Sequence, residues 1–330
     1  ISLSANKDAI IFEQAGYLHT YNIASGSIKK LNIQINTDLL ELRPRFVTDD
    51  NYIRSGAISP SGARVVFDYR GDIITVPAKK GDPKNITNTT GVHEKFPEWS
   101  PDGKSIAYFS DASGEYAMHI QNNSNGDTKK ITLNGSGFYA NIHWSPDSKK
   151  LSFVDNGRSL YFLDIATNKM SKIASDELYT PGVFRELFGD WSADSNWISF
   201  TTISETNFEQ AYLYSISENK SYSISDGLSN ISSPVFDPSG KYLYMLASTN
   251  AGPVVNWFDQ SNQDMESSNS IYLVTLQKDT LSPFAKENDN EELSTKSKED
   301  EKKEETDKDK KDKKVDLVKI DWDGIQNRIV

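Results

Sequence analysis

From Ser105 the chain reads SIAYFS, in which the large Ile106 and Tyr108 alternate with the small Ser105 and Ala107. A period of two, rich in Ile, Val, Tyr and Phe, predicts a half-buried strand. The texture returns in DIITVP (Asp72 to Pro77), YAMHIQ (Tyr116 to Gln121), SLYFLDI (Ser159 to Ile165), AYLYSI (Ala211 to Ile216) and KYLYML (Lys241 to Leu246). Turn residues separate these runs, as in DYRGD at Asp68 to Asp72 and DASG at Asp111 to Gly114. Short closing strands follow: NIT, KKITL, MSKIA and SYSIS. No segment carries a helical stripe, so the chain is expected to be all-β.

The strands are counted out by a recurring phrase. ISPSGARVVF starts at Ile58, WSPDGKSIAYF at Trp99, WSPDSKKLSFV at Trp144, WSADSNWISFT at Trp191 and FDPSGKYLYML at Phe236. The proline position falls at Pro60, Pro101, Pro146, Ala193 and Pro238, in steps of 41, 45, 47 and 45 residues. Such a period fits helical-pair solenoids or propeller blades, and the strand chemistry selects blades of four antiparallel strands. Ser-Pro-Asp-Gly suits the turn from a blade's innermost strand to the next: Pro fixes φ, Asp bonds nearby backbone, and Gly accepts positive φ. The Trp before it can pack between neighbouring blades. The motif reads as scaffold, not chemistry.

Six blades are visible of an expected seven. The first is partial: Asp8 to Ile33 holds its later strands, and its inner strand lies at or before the start. Residues 1–284 are assigned to blades. Residues 285–314 hold ten lysines against twelve acids, no aromatic and one Leu; too little apolar area is available to offset ordering, which predicts a disordered insertion. Residues 315–330 are expected to supply one strand, a turn at Asp323-Gly324 and the opening of another blade. A second insertion spans Ala247 to Ser270 and brings Trp257 and Phe258 against the propeller. The chain has no initiating Met and no leader-like start, and its last blade is unfinished, so it is expected to be a piece of a longer protein.

Composition narrows the chemistry. A net charge of −11 argues against a nucleic-acid surface, and no apolar run is long enough to span a membrane. The absence of cysteine removes disulfides, thiolate zinc sites and a Cys nucleophile. No H-E-x-x-H, G-x-S-x-G, phosphate loop or dinucleotide fingerprint occurs, so no catalytic residue, metal ligand or cofactor is assigned. Candidate binding residues lie on or before inner strands, at the channel or its rim: Arg45, Arg54, His93, Glu94, Tyr139, Asn141, Arg185 and Asn230. Glu186 and His143 have similar positions. Arginine and aromatic side chains there can hold a peptide's carboxylate or backbone, or pair with one another.

The run YIRSGAISPSGARVVFDYRGDIITVPAKKGDPKNITNTTGVHEKFPEWSPDGKSIAYFSDASGEY, with ELRPRFV before it, closely resembles a propeller of the tricorn protease family. SPVFDPSGKYLYMLAST, SIYLVTLQKDTLSPFA and IDWDGIQNRIV carry the likeness to the end, leaving out the charged tract. The resemblance implies most of a seven-bladed propeller within a serine peptidase that cuts short peptides. Its catalytic residues would lie in other domains, and none is matched here. The implied role is to gate or guide peptides to that active site. Implied with it are a further propeller, PDZ-like and catalytic domains as partners, a homo-oligomer, and a cytoplasmic location. Two alternatives share the generic S-P-D-G-K phrase: a TolB-like, periplasmic protein-interaction propeller, and the lid of a prolyl oligopeptidase-type enzyme.

Overall fold

The computed structural model describes residues 3–14, 16–34, 36–38, 51–134, 137–176, 185–252, 265–285 and 317–330. Arg45, Trp257, Phe258 and the charged tract after Ala285 lie outside the described residues. The chain divides into two units, Ile1–Asp49 and Asp50–Val330. The first holds one antiparallel sheet of β1 (Leu3–Ala5), β2 (Ala9–Gln14), β3 (Tyr17–Asn22) and β4 (Ile28–Lys30), in that order. The expected inner strand is thus present as β1.

The second unit repeats this sheet. The second blade is β5 (Ile53–Ile58), β6 (Arg64–Tyr69), β7 (Asp72–Pro77) and β8 (Lys84–Asn85), and the third is β9 (Glu94–Trp99), β10 (Ser105–Ser110), β11 (Ala117–Asn122) and β12 (Thr128–Thr132). The fourth is β13 (Tyr139–Trp144), β14 (Lys150–Asp155), β15 (Ser159–Asp164) and β16 (Lys169–Ser175), and the fifth is β17 (Phe188–Trp191), β18 (Trp197–Ile203), β19 (Glu209–Ser215) and β20 (Lys220–Ser223). The sixth shows three strands, β21 (Asn230–Phe236), β22 (Tyr242–Ser248) and β23 (Ser270–Thr275). First strands stand beside one another: β5 by β9, β9 by β13, β17 by β21. This is a β-propeller architecture.

The core lies between blades. Val66, Ile73, Trp99, Ile106 and Tyr108 join the second and third. Phe109, Met118, Tyr139 and Phe153 join the third and fourth. Leu160, Leu187, Trp191 and Phe200 join the fourth and fifth, and Leu213, Ile231, Leu243 and Val274 join the fifth and sixth. Each such side chain contributes roughly 1.5–3 kcal/mol by leaving water. A sheet is therefore stable only with its neighbours.

The recurring phrase is the turn from first to second strand in all five blades of this unit. Its fourth residue donates an N–H to the carbonyl of its first at 2.8 Å: Gly62 to Ser59, Gly103 to Ser100, Ser148 to Ser145, Ser195 to Ser192 and Gly240 to Asp237. That fourth residue has φ between 58 and 70°, so glycine suits it. Ser148 and Ser195 accept the strain and gain a tie to the preceding blade, where their Oγ atoms accept N–H bonds from Asp102 (3.2 Å) and Asp147 (3.0 Å). The tryptophans bridge blades as expected: Trp144 is buried and its Nε1 donates to the Glu98 carbonyl at 3.1 Å.

The end of the chain departs from expectation. Residues 317–330 form no ladder strand. Val318 donates its N–H to Asp194 in the fifth blade (2.9 Å), and Asp321 donates to the Leu276 carbonyl (2.9 Å). The expected turn is present, with Gly324 at φ 69°, but a 3-10 helix, Ile325–Arg328, follows it. Ile329 then bridges β23 opposite Val274, and Val330 exchanges two backbone hydrogen bonds with Leu273, at 2.8 and 2.9 Å. The physical reason is packing. Val318 and Ile325 are buried between the last two sheets, Trp322 stacks on Tyr222 at 4.1 Å, and Arg328 donates to the carbonyls of Thr275, Leu276, Asp321 and Asp323.

Candidate functional site

Every first strand of the second unit contains a bulge, seen as a register shift against its second strand. Phe96, Asn141 and Ser233 take positive φ there, between 50 and 56°. A bulge frees backbone N–H groups and reverses which face the preceding side chains meet. At β5 the freed groups are satisfied by Asp68 of β6. Its carboxylate accepts the N–H groups of Arg54 (3.0 Å), Ser55 (2.7 Å) and, from the next blade, Phe96 (3.2 Å), plus the Ser55 hydroxyl (2.8 Å).

Beside this knot lies a cleft of about 510 Å³, where β5 and β9 begin and β6 turns into β7. Arg54, Arg70, Lys95 and His93 supply its basic side; Tyr52 and Phe96 supply aromatic surface; Asp68 and Glu94 lie in its wall. Glu94 is 2% exposed and both its oxygens accept the Thr89 hydroxyl at 2.9 Å. Burial raises its pKa, against those hydrogen bonds. Lys95 is 9% exposed, its ammonium 4.0 Å from the ring centre of Tyr116, 5.0 Å from Phe138 and 5.6 Å from Phe96. Burial pulls its pKa down to about 8, although Asp111 and Asp68 oppose the shift. His93 Nδ1 shares a 2.6 Å hydrogen bond with the Tyr116 hydroxyl. Gly71, at φ 93°, sits so close to Val92 and His93 that a Cβ would meet them at 3.1 and 3.2 Å.

The cleft thus gathers Arg54, His93 and Glu94 from the sequence candidates. Tyr139 is elsewhere: it is 2% exposed and packs on Phe109 and Phe153 at 5.5 and 5.7 Å. The bulge after it turns the side chain from the expected channel face into the core. Asn141 is the bulge residue itself. The Asn230 side-chain oxygen accepts the Glu209 N–H at 2.8 Å, which ties β21 to β19. Arg185 is bound by Asp176 through two 2.9 Å hydrogen bonds, by Thr201 at 3.2 Å and by Glu209. Arg45 lies outside the described residues.

The candidates missed Arg70, Lys95 and, in a row farther along the strands, Glu98 and Asp190; His143 of the same row was named. Glu98, His143 and Asp190 occupy one position, just before the aromatic residue of each phrase, on β9, β13 and β17. His143 stacks on Phe188 at 4.2 Å, and its Nε2 lies 3.4 Å from Glu186. Burial pushes the Glu98 carboxyl up to about 7, against the opposing effect of His143 and the Trp99 N–H. Burial also raises Asp190, although the Phe236 and Trp191 N–H groups and His143 favour its ionised form. Extending the repeat alignment four residues ahead of the phrase would have exposed both columns, Arg54 with Lys95 and Glu98 with His143 and Asp190. Among the described residues no histidine contacts a serine or threonine hydroxyl, and no group of acids and histidines is arranged to hold a metal. No described helix is long and apolar enough to cross a membrane.

The crystal structure of the tricorn protease superposes with a TM-score of 0.58 at 15% identity, covering 99% of this chain and 29% of that one. Porphyromonas gingivalis dipeptidyl peptidase 4 superposes with 0.50 at 13% identity, covering 82% and 42%. These likenesses concern the fold alone. A Sulfurisphaera tokodaii protein described as a Tricorn-like protease C-terminal subunit is 24% identical over 281 residues, 85% of this chain and 31% of that protein. The chain therefore spans about a third of the length of that relative. The family described as the tricorn protease second beta propeller domain matches residues 53–330, which takes in all five blades of the second unit and leaves the first sheet outside. The chain belongs to the family of tricorn protease second β-propeller domains.

Proposed function

We propose that this propeller is a non-catalytic part of a serine peptidase that receives short peptides and guides them to an active site carried by other domains. The carrying observation is the cleft at the start of β5 and β9. It is open, of a size for a few side chains, and presents guanidinium and aromatic surface on a rigid frame. Backbone amides and carboxylates of an extended peptide match that surface. On this reading the partners are a further propeller, PDZ-like and catalytic domains, in a cytoplasmic homo-oligomer. The purified chain is expected to hydrolyse no fluorogenic peptide. Hydrolysis, with a serine-directed reagent labelling this chain, would overturn the reading. In the parent protein, removing aromatic surface from the cleft by Tyr52→Ala should raise KM for peptides several-fold and leave kcat for a small activated ester unchanged.

A further inference from the structure

The cleft gathers Arg54, Arg70 and Lys95, in a chain whose net charge is −11. Arg54 and Arg70 are exposed, and among the described residues neither guanidinium forms an ion pair. Arg70 lies 5.0 Å from the centre of the Tyr52 ring, which braces it without neutralising it. The acids of the wall are already engaged. Asp68, 5% exposed, is turned onto three backbone N–H groups and the Ser55 hydroxyl. Glu94 is buried on Thr89. Asp111 accepts the His93 N–H at 2.7 Å. Lys95 is fixed among three rings at the back. A flat anion entering the cleft would meet two guanidinium forks with unused donors and an aromatic floor.

We propose that the cleft binds a carboxylate of a peptide, with Arg54 and Arg70 as its charged partners and Tyr52 and Phe96 against the neighbouring side chain. The inference rests on the peptide-guiding reading and adds to it what the cleft recognises. The carboxylate can be the C-terminal one or that of an acidic side chain, since both offer the same two oxygens.

The test is calorimetric titration of the 330-residue chain with three acetylated tetrapeptides: one ending in Phe with a free carboxylate, its C-terminal amide, and an amide with Glu in the third place. Binding of the free acid at least tenfold tighter than the plain amide supports the inference and identifies the terminal carboxylate. Equal binding of the acid and the Glu peptide, with the plain amide weak, supports it through the side-chain source. Arg54→Gln and Arg70→Gln should each weaken the preferred peptide about tenfold, while Lys104→Gln, in the turn at the far end of β9, should leave it unchanged. Equal binding of all three peptides would overturn the carboxylate and leave the peptide reading standing. Binding of none, with parent-protein KM indifferent to the cleft variants, would overturn both.

Discussion

Two arginines stand just ahead of or within first strands of this propeller and meet opposite fates. Arg185 precedes β17, is 15% exposed, and is held by Asp176, Glu209 and Thr201 across the gap between the fourth and fifth blades. Arg54 is on β5, is exposed, and has no acid on its guanidinium among the described residues. What differs is the placement of the local acid. Asp176 presents its carboxylate to the arginine and to the Ile203 N–H (2.9 Å), whereas Asp68 is consumed by the bulge. The first gap is a clasp between blades, and at the second the guanidinium has no acid partner among the described residues. Whether an arginine at a strand start is paired therefore depends on what the neighbouring bulge demands of the carboxylate.

The sharpest way to break this contrast is to remove the acid at each gap. Asp176→Ala leaves Arg185 buried without its main partner and should cost about 3–5 kcal/mol in denaturant unfolding. Asp68→Ala orphans backbone N–H groups of two blades and should cost roughly 2–4 kcal/mol, with Asp68→Asn recovering part. Arg54→Gln and Arg70→Gln should change stability by no more than about 0.5 kcal/mol. A large loss at Arg54 would mean that its guanidinium is structural after all, and the contrast would fail.

The pH dependence separates the cleft from the inner row. The Lys95 pKa of about 8 lies below that of a free lysine, so between pH 8 and about 10.4 the unfolded chain holds more protons and stability rises with pH. The cost of burying its charge is fully present below pH 8. Lys95→Met should therefore stabilise the chain more at pH 7 than at pH 10. Glu98 behaves in the opposite direction. Its folded pKa of about 7 is above the free value, so stability falls as pH rises from about 4.5 to 7. Glu98→Gln should stabilise more at pH 8 than at pH 5, read from melting curves at the two pH values.

The smallest effects belong to the turns. Ser195→Ala keeps the left-handed strain and loses the bond to Asp147, a cost of about 1 kcal/mol. Ala193→Pro places proline where four sister turns carry it and should gain about 0.4–1 kcal/mol, seen as a modest rise in Tm.

Much of the scaffold was legible because its causes are local. Strand period, turn residues and the spacing of the phrase identified blades, the inner-to-second turn at Pro60, Pro101, Pro146, Ala193 and Pro238, and the bridging role of Trp144. Arg54, His93 and Glu94 were legible as residues on or before inner strands, along with five others, but only the fold brings these three into one cleft. Tyr139 was misplaced, since one bulge residue at Asn141 reverses a strand's faces and composition does not announce it. The last segment was read as strand because VDLVKI has strand texture, whereas Val318 is held by Asp194 of the fifth blade and Asp321 by Leu276 at the end of the sixth.

The sequence by itself determined that this chain repeats a four-stranded unit, turns it at Ser-Pro-Asp-Gly, and carries no nucleophile motif. Those properties follow from periodicity and backbone preference within a few residues. The tertiary structure decided which charges are spent and which remain. Asp68 reaches Phe96 across 28 residues, Arg185 reaches Glu209 across 24, and Asp190 reaches Phe236 across 46. Charge pairing is governed by distances of a few ångströms between strands of different sheets, and sequence spacing does not record them.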